Sequence, residues 1–150
     1  MKRSTALGYT HHTREENIPV ISAYATQQTF DHLELYRAFL ERETDATGTV
    51  VLHHGRVKRP GKQVADFSSV ELKSLVADVN ERLAAIARLA EEQFNLNQVL
   101  VVHRLGTIHA CDSVLLAIVS GKTRDRCFQA CSWIVDEVKK EEFIQLIEME

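Results

Sequence analysis

Residues 113–140 read SVLLAIVSGKTRDRCFQACSWIVDEVKK, and the way this stretch divides decides the fold. Ser113–Ser120 is strongly apolar and short, which reads as a strand. A glycine-containing loop with basic residues follows, and helix signals run from Asp125 to Lys139. On that helix Cys127, Phe128, Cys131, Ile134, Val135 and Val138 fall on one apolar stripe, so that face packs on the sheet. A strand feeding a helix that covers its own sheet is the repeating unit of a layered α and β protein.

The rest of the chain extends the same pattern. Ile18–Ala23 reads as a short strand, and Asp31–Glu41 as a helix capped by Thr29 or Asp31. The sequence TDATG at 44–48 breaks the chain, and β-branched Thr49–Val57 forms the next strand. A Pro-Gly turn at 58–63 predicts a return strand over Val64–Leu72. From Leu72 to Ala90 apolar residues recur every three or four positions, the signature of a long amphipathic helix. The sequence FNLNQ ends it, VLVVHRLG at 99–106 is a strand, and TIHACD is a connector. The order β-α-β-β-α-β-β-α predicts an α+β fold: a mixed or antiparallel sheet with helices packed on it. One domain over 18–140 is expected, between a loose segment at 1–17 and an acidic tail at 141–150.

Composition sets the class. The 150 residues are 45% apolar and 26% charged, which is globular. The apolar runs Val99–Val102 and Val114–Val119 are far shorter than the ~20 residues of a membrane span. No apolar signal segment opens the chain, and three cysteines suit a reducing compartment, so a cytoplasmic protein is expected. The net charge of −3 excludes a general nucleic-acid field. It hides an asymmetry, because Asp136–Glu150 holds six acids and two lysines while Arg56, Lys58, Arg59 and Lys62 cluster.

Several residues could carry chemistry. Cys127 and Cys131 lie on the helix stripe and are expected to be core. A zinc site would have to recruit His103, His109 and Cys111, with no CxxC or HxxxH pair to anchor it, so no metal is expected. Cys111, two residues from His109, is a thiol candidate. His11–His12 and His53–His54 are pairs, and on a strand His53 and His54 point to opposite faces. Two basic clusters stand out. Arg56, Lys58 and Arg59 end a strand, while Lys122, Arg124 and Arg126 sit at a strand-to-helix junction suited to a phosphate or carboxylate.

Three blocks, GTVVLHHGRVK at 48–58, VVHRLGTIHACDSVLLAIVS at 101–120 and TRDRCFQACSWIVDEVKK at 123–140, resemble the large subunit of molybdopterin synthase. That family shows G-x-V-x(4)-G-x-V-R, then H-R-x-G-x-[LI]-x-x-G-D, then a helix opened by H-R-x-x-[AS]-F-x-A and closed by D-x-[LV]-K. The resemblance implies a hammerhead-type fold and a role in molybdenum cofactor biosynthesis. It implies a homodimer whose chains each bind a ubiquitin-like small subunit ending in a Gly-Gly thiocarboxylate. It further implies sulfur transfer to cyclic pyranopterin monophosphate, with no cofactor of the protein's own. On this resemblance Arg56, Lys58, Arg104, Thr123 and Arg124 are the substrate-binding candidates.

The chain departs from the pattern at defined positions. Lys58 stands for an arginine, Thr123 for a histidine, and Cys111 for the glycine before Asp112. The family's P-x-W-K-[KR]-E segment carries a key lysine, and here the chain reads EEFIQLIEME, with Leu146 or a neighbour in that place. The sequence therefore names no catalytic residue outright; Lys139 and Lys140 are the amines near the end of the last helix. Two readings follow, an active synthase subunit and a non-catalytic homologue that binds the small subunit or a pterin phosphate as a regulator or scaffold. A thiol or zinc protein unrelated to pterins is the third.

Overall fold

The computed structural model describes residues 20–140 and 143–150, so the segment expected to be loose at 1–17 lies outside the described residues. The elements are β1 (Val20–Thr26), α1 (His32–Glu41), β2 (Thr49–Arg56), β3 (Ser69–Ser74), α2 (Val79–Phe94), β4 (Gln98–Arg104), β5 (Gly106–Ile108), β6 (Ser113–Gly121), α3 (Arg124–Lys139) and β7 (Ile144–Met149). They form two sheets. The larger has the order β1-β4-β6-β2, with β1 parallel to β4 and the other pairs antiparallel. The smaller is antiparallel, in the order β5-β3-β7.

β6 is apolar from Val114 to Val119 because its centre is buried on both faces. Its Leu115, Ala117 and Val119 meet α2 and α3, together with Val99 and Val101 of β4. Leu116 and Ile118 point the other way, to Phe39 of α1. A strand covered on both sides loses the polar alternation of a half-exposed one. α1 starts at the N-cap Asp31, whose side chain accepts the Leu33 N–H at 2.9 Å. Its far end is tied down by a buried polar group. Glu43 accepts Gln98 Nε2 at 2.8 Å and the Thr47 hydroxyl, and Gln98 Nε2 also donates to Phe39 O. With both carboxylate oxygens bonded, Glu43 is tolerated in the interior.

Five expectations from the sequence need correction. The Pro-Gly turn does not make a hairpin, since β2 pairs with β6 and β3 joins the other sheet. The intervening loop is instead stapled to itself. Arg59 donates from Nε and Nη2 to Phe67 O at 3.1 and 2.6 Å, with its guanidinium 5.1 Å from the centre of the Phe67 ring. The long helix begins at Val79, not Leu72. Val70 and Leu72 are buried while Lys73 is exposed, a period of two that the spacing 72-75-76-79 disguised as helical. The acidic tail contains β7, with Leu72 opposite Leu146, and the connector contains β5. Phe128 leaves the α3 stripe and is 60% exposed.

Cys127 and Cys131 are core as expected, packed with Ala130 and Ile134 against the larger sheet. Cys131 Sγ lies 3.7 Å from Ala117 O as a weak donor, and burial pushes its thiol up to about 11, so it stays protonated. No helix among the described residues is long and apolar enough to cross a membrane. Replacing Cys131 with alanine should lower unfolding stability by about 1–3 kcal/mol. Ligand affinity should not change, which urea denaturation and a binding titration on the same protein would check.

Candidate functional site

Where the two sheets meet, the end of β2 and the end of α3 enclose a cavity of about 520 Å3, a size that suits a small organic ligand. Its floor is apolar: Val70 and Leu72 of β3, Leu115 of β6, Val138 of α3, Ile144 and Leu146 of β7. Its rim is cationic, formed by Arg56, Lys58, Lys62 and Lys139. Charges over an apolar floor attract an anion more strongly than the same charges in open water.

The elements explain how each side chain arrives there. β2 ends in an irregularity between Gly55 and Arg56, which turns Arg56 out of the regular alternation. Arg56 Nε then donates to Cys111 O at 3.3 Å, and the Val57 backbone exchanges bonds with Cys111 and Asp112. Cys111, the family pattern's glycine position, has a φ of 78° and is exposed. Its neighbour His109 faces Asp112 at 3.8 Å, an arrangement that gives the thiol no imidazole partner. Cys111 thus acts through its backbone, holding Arg56.

The two terminal lysines of α3 separate cleanly. Lys139 lines the cavity, whereas Lys140 Nζ bonds Glu137 at 2.6 Å outside it. Helix periodicity turns successive residues by about 100°, so only one of two adjacent lysines can face the site.

Two imidazoles also line the cavity, and the sequence did not single them out for it. His103 is buried, and its Nδ1 lies 2.8 Å from Arg104 O. A carbonyl only accepts, so Nδ1 carries the proton and Nε2 is left as the acceptor. Burial lowers the His103 pKa and outweighs the opposing pull of that carbonyl. His53 stands across β6 in the next row, with Nε2 buried and without a hydrogen-bond partner. Burial first, and the Lys139 charge second, lower its pKa. The signal was present in the strand period: His53 and Gly55 share a face with Val51, which faces the α2–α3 core. His54 faces the opposite way, as expected, stacked on His32 at 4.0 Å with Nε2 2.7 Å from Ser113 Oγ.

The candidate binding residues are not all brought together. Arg56 and Lys58 line the cavity. Arg104 ends β4 beside it, but its strand position faces the α1 side, and its Nε donates to Leu105 O. Thr123 and Arg124 open α3, sixteen and fifteen residues before Lys139, so about 22–24 Å of helix separates them from it. Leu146 is in the floor.

The described groups give a pH prediction. His53, His54 and His103 all have lowered pKa values, so between the ordinary value of 6.5 and those values the unfolded chain binds more protons. Stability should therefore fall as pH drops below about 6.5. Thermal unfolding from pH 8 to pH 5 would show this, and His53→Phe should flatten the slope by one group's share.

The comparisons with known proteins bear on the family and the fold. The family model described as MoaE protein matches residues 25–141. A molybdopterin synthase catalytic subunit from Pyrococcus abyssi is 32% identical over 99 residues, which is 65% of this chain and 65% of that protein. The match thus spans just under two thirds of that relative. Among solved structures, molybdopterin synthase from Staphylococcus aureus superposes with a TM-score of 0.72 at 23% identity, over 83% of this chain and 88% of that one. A protein–protein complex of subunits 1 and 2 of the molybdopterin-converting factor from Helicobacter pylori gives 0.64 at 16% identity, over 84% and 83%. At these identities the structural matches establish the α+β fold.

Proposed function

The chain belongs to the MoaE protein family, and we propose that it is the large subunit of a molybdopterin synthase, transferring sulfur to cyclic pyranopterin monophosphate in molybdenum cofactor biosynthesis. One observation carries the reading: Lys139 faces the cavity beside Arg56, Lys58 and Lys62. A phosphate needs the cations, and an acyl transfer from a thiocarboxylate needs an amine or a proton donor close by. In this reading Lys139, which lines the cavity, takes that role, while Lys140 pairs with Glu137. The apolar floor suits the flat ring system of a pterin.

The partner in this reading is a ubiquitin-like small subunit, supported by the two-subunit complex of the Helicobacter relative. The homodimer has a geometric motive. Arg124 and Thr123 lie too far from Lys139 to share a ligand within one chain, so a second copy must supply them if both clusters serve one site. A cytoplasmic setting fits this chemistry. Leu146 favours a second reading, in which the cavity binds the pterin phosphate or the small subunit without turnover, because it or a neighbour stands where the family pattern has its lysine.

The deciding assay mixes the purified chain with thiocarboxylated small subunit and cyclic pyranopterin monophosphate and measures molybdopterin. Turnover is expected, and Lys139→Ala should reduce it by at least about a hundredfold while Lys140→Ala leaves it near wild type. Pterin binding with no turnover in the wild type establishes the second reading.

Arg124→Ala removes a charge-assisted contact worth about 1.5–3 kcal/mol and should weaken pterin phosphate binding roughly ten- to a hundredfold. If the second copy supplies Arg124, mixing the Lys139→Ala and Arg124→Ala proteins and allowing exchange should restore about a quarter of the sites. No recovery after verified exchange would place both residues on one chain's site or remove Arg124 from it.

A further inference from the structure

One carboxylate at the cavity is poorly explained by ligand electrostatics. Glu148 of β7 lines the same cavity as the four cations, and a negative charge there opposes the binding of an anion. Its hydrogen bonds give it another task. The backbone N–H groups of Lys62, Gln63 and Val64 all donate to the Glu148 carboxylate, at 3.0, 2.6 and 2.7 Å. Three successive amides converging on one anion form a nest. The tie is reciprocal, since Gln63 Oε1 accepts the Glu148 N–H at 3.1 Å and Gln63 Nε2 donates to Leu146 O at 3.2 Å. The Gln63 amide thus stands in for a neighbouring strand along the outer edge of β7.

This loop carries Lys58 and Lys62, and β7 carries Ile144 and Leu146 of the floor. We propose that Glu148 is the positioning residue of the cavity, latching the loop of Lys58–Val64 to β7 so that its lysines face the ligand's anionic group. The inference rests on the reading of the cavity as a pterin phosphate site. Gly61 belongs to the latch, because a Cβ there would collide with Val64 O and the Glu148 carboxylate. A loop freed from its acceptor would spread its two cations over many arrangements, and few of those would match a phosphate.

Charge and position predict opposite signs. Glu148→Gln removes a negative charge, which by electrostatics alone tightens anion binding. Positioning predicts the reverse: KM for cyclic pyranopterin monophosphate should rise about tenfold with kcat within about twofold, since Lys139 sits on α3 and not on the loop. Gly61→Ala should produce the same loss by a separate route, and the double variant should be no worse than either single one, because both break one latch. Hydrogen exchange provides a readout independent of activity. The Lys62, Gln63 and Val64 amides should exchange at least about tenfold faster in Glu148→Gln, with β4 and β6 protection unchanged. Inorganic phosphate is the second binding probe, and its affinity should fall in both variants. Equal or tighter phosphate and pterin binding in Glu148→Gln overturns the proposal, as does unchanged exchange at the three amides. A wild type that binds phosphate but no pterin overturns the functional reading and leaves the latch to be judged on phosphate and exchange.

Discussion

The pairing of β6 with β2 on one side and β4 on the other is the constraint on which the rest of the structure depends. Leu116, Ala117, Ile118 and Val119 are fully buried, each facing a helix layer on its own side of the sheet. Burial of such side chains is worth about 1.5–3 kcal/mol apiece, so this strand and its neighbours fix where everything else attaches. α2 and α3 cover one face and α1 the other, and because α3 follows β6 directly, its length sets how far Lys139 travels from the loop that begins it. The catalytic candidate is therefore placed by a helix whose position the core dictates.

The second sheet converts that scaffold into a site. Alone, the end of β2 and the end of α3 would present scattered cations to water, where each is worth little. β3 and β7 close the gap with apolar side chains, and the long loop between β2 and β3 brings two lysines over them. The arrangement sets exposed charges over apolar side chains, where an anion is attracted more strongly than in open water. Leu146 is consistent with this division of labour: its side chain extends the apolar floor, and the cations come from β2, the β2–β3 loop and α3.

Burial determines which histidines and cysteines take part. Cys127 and Cys131 are inside a helix–sheet interface and have no route to a ligand. Cys111 is exposed, yet its contribution runs through its backbone. Burial makes both His53 and His103 harder to protonate than a free imidazole, and at His53 the Lys139 charge adds to the effect. The cavity thus combines permanent cations with uncharged imidazoles, a mixture that can hold an anion while leaving proton acceptors beside it.

By itself the sequence determined the family, the layered class, the strand at 113–120, the helix that follows it and the core role of its cysteines. The family rests on the resemblance carried by three motif blocks in order; the rest follows from local periodicity and composition, which act over a few residues and need no knowledge of partners. A strand was expected over Val64–Leu72, but its true bounds, Ser69–Ser74, were obscured because Leu72 fits both a period of two and the helical spacing of the residues after it, and only the partner strands settle that ambiguity. β7 was hidden for the same reason, since a short acidic segment becomes a strand only when an edge receives it. Lys139 and Lys140 were indistinguishable in the sequence, and the rotation of α3 against the sheet separated them. The two basic clusters read alike as strand-end loops, yet antiparallel pairing of β2 with β6 sends them to opposite ends of the sheet. Contacts between residues distant in sequence decided each of these points, because the side chains concerned carry no local mark of the neighbour they meet.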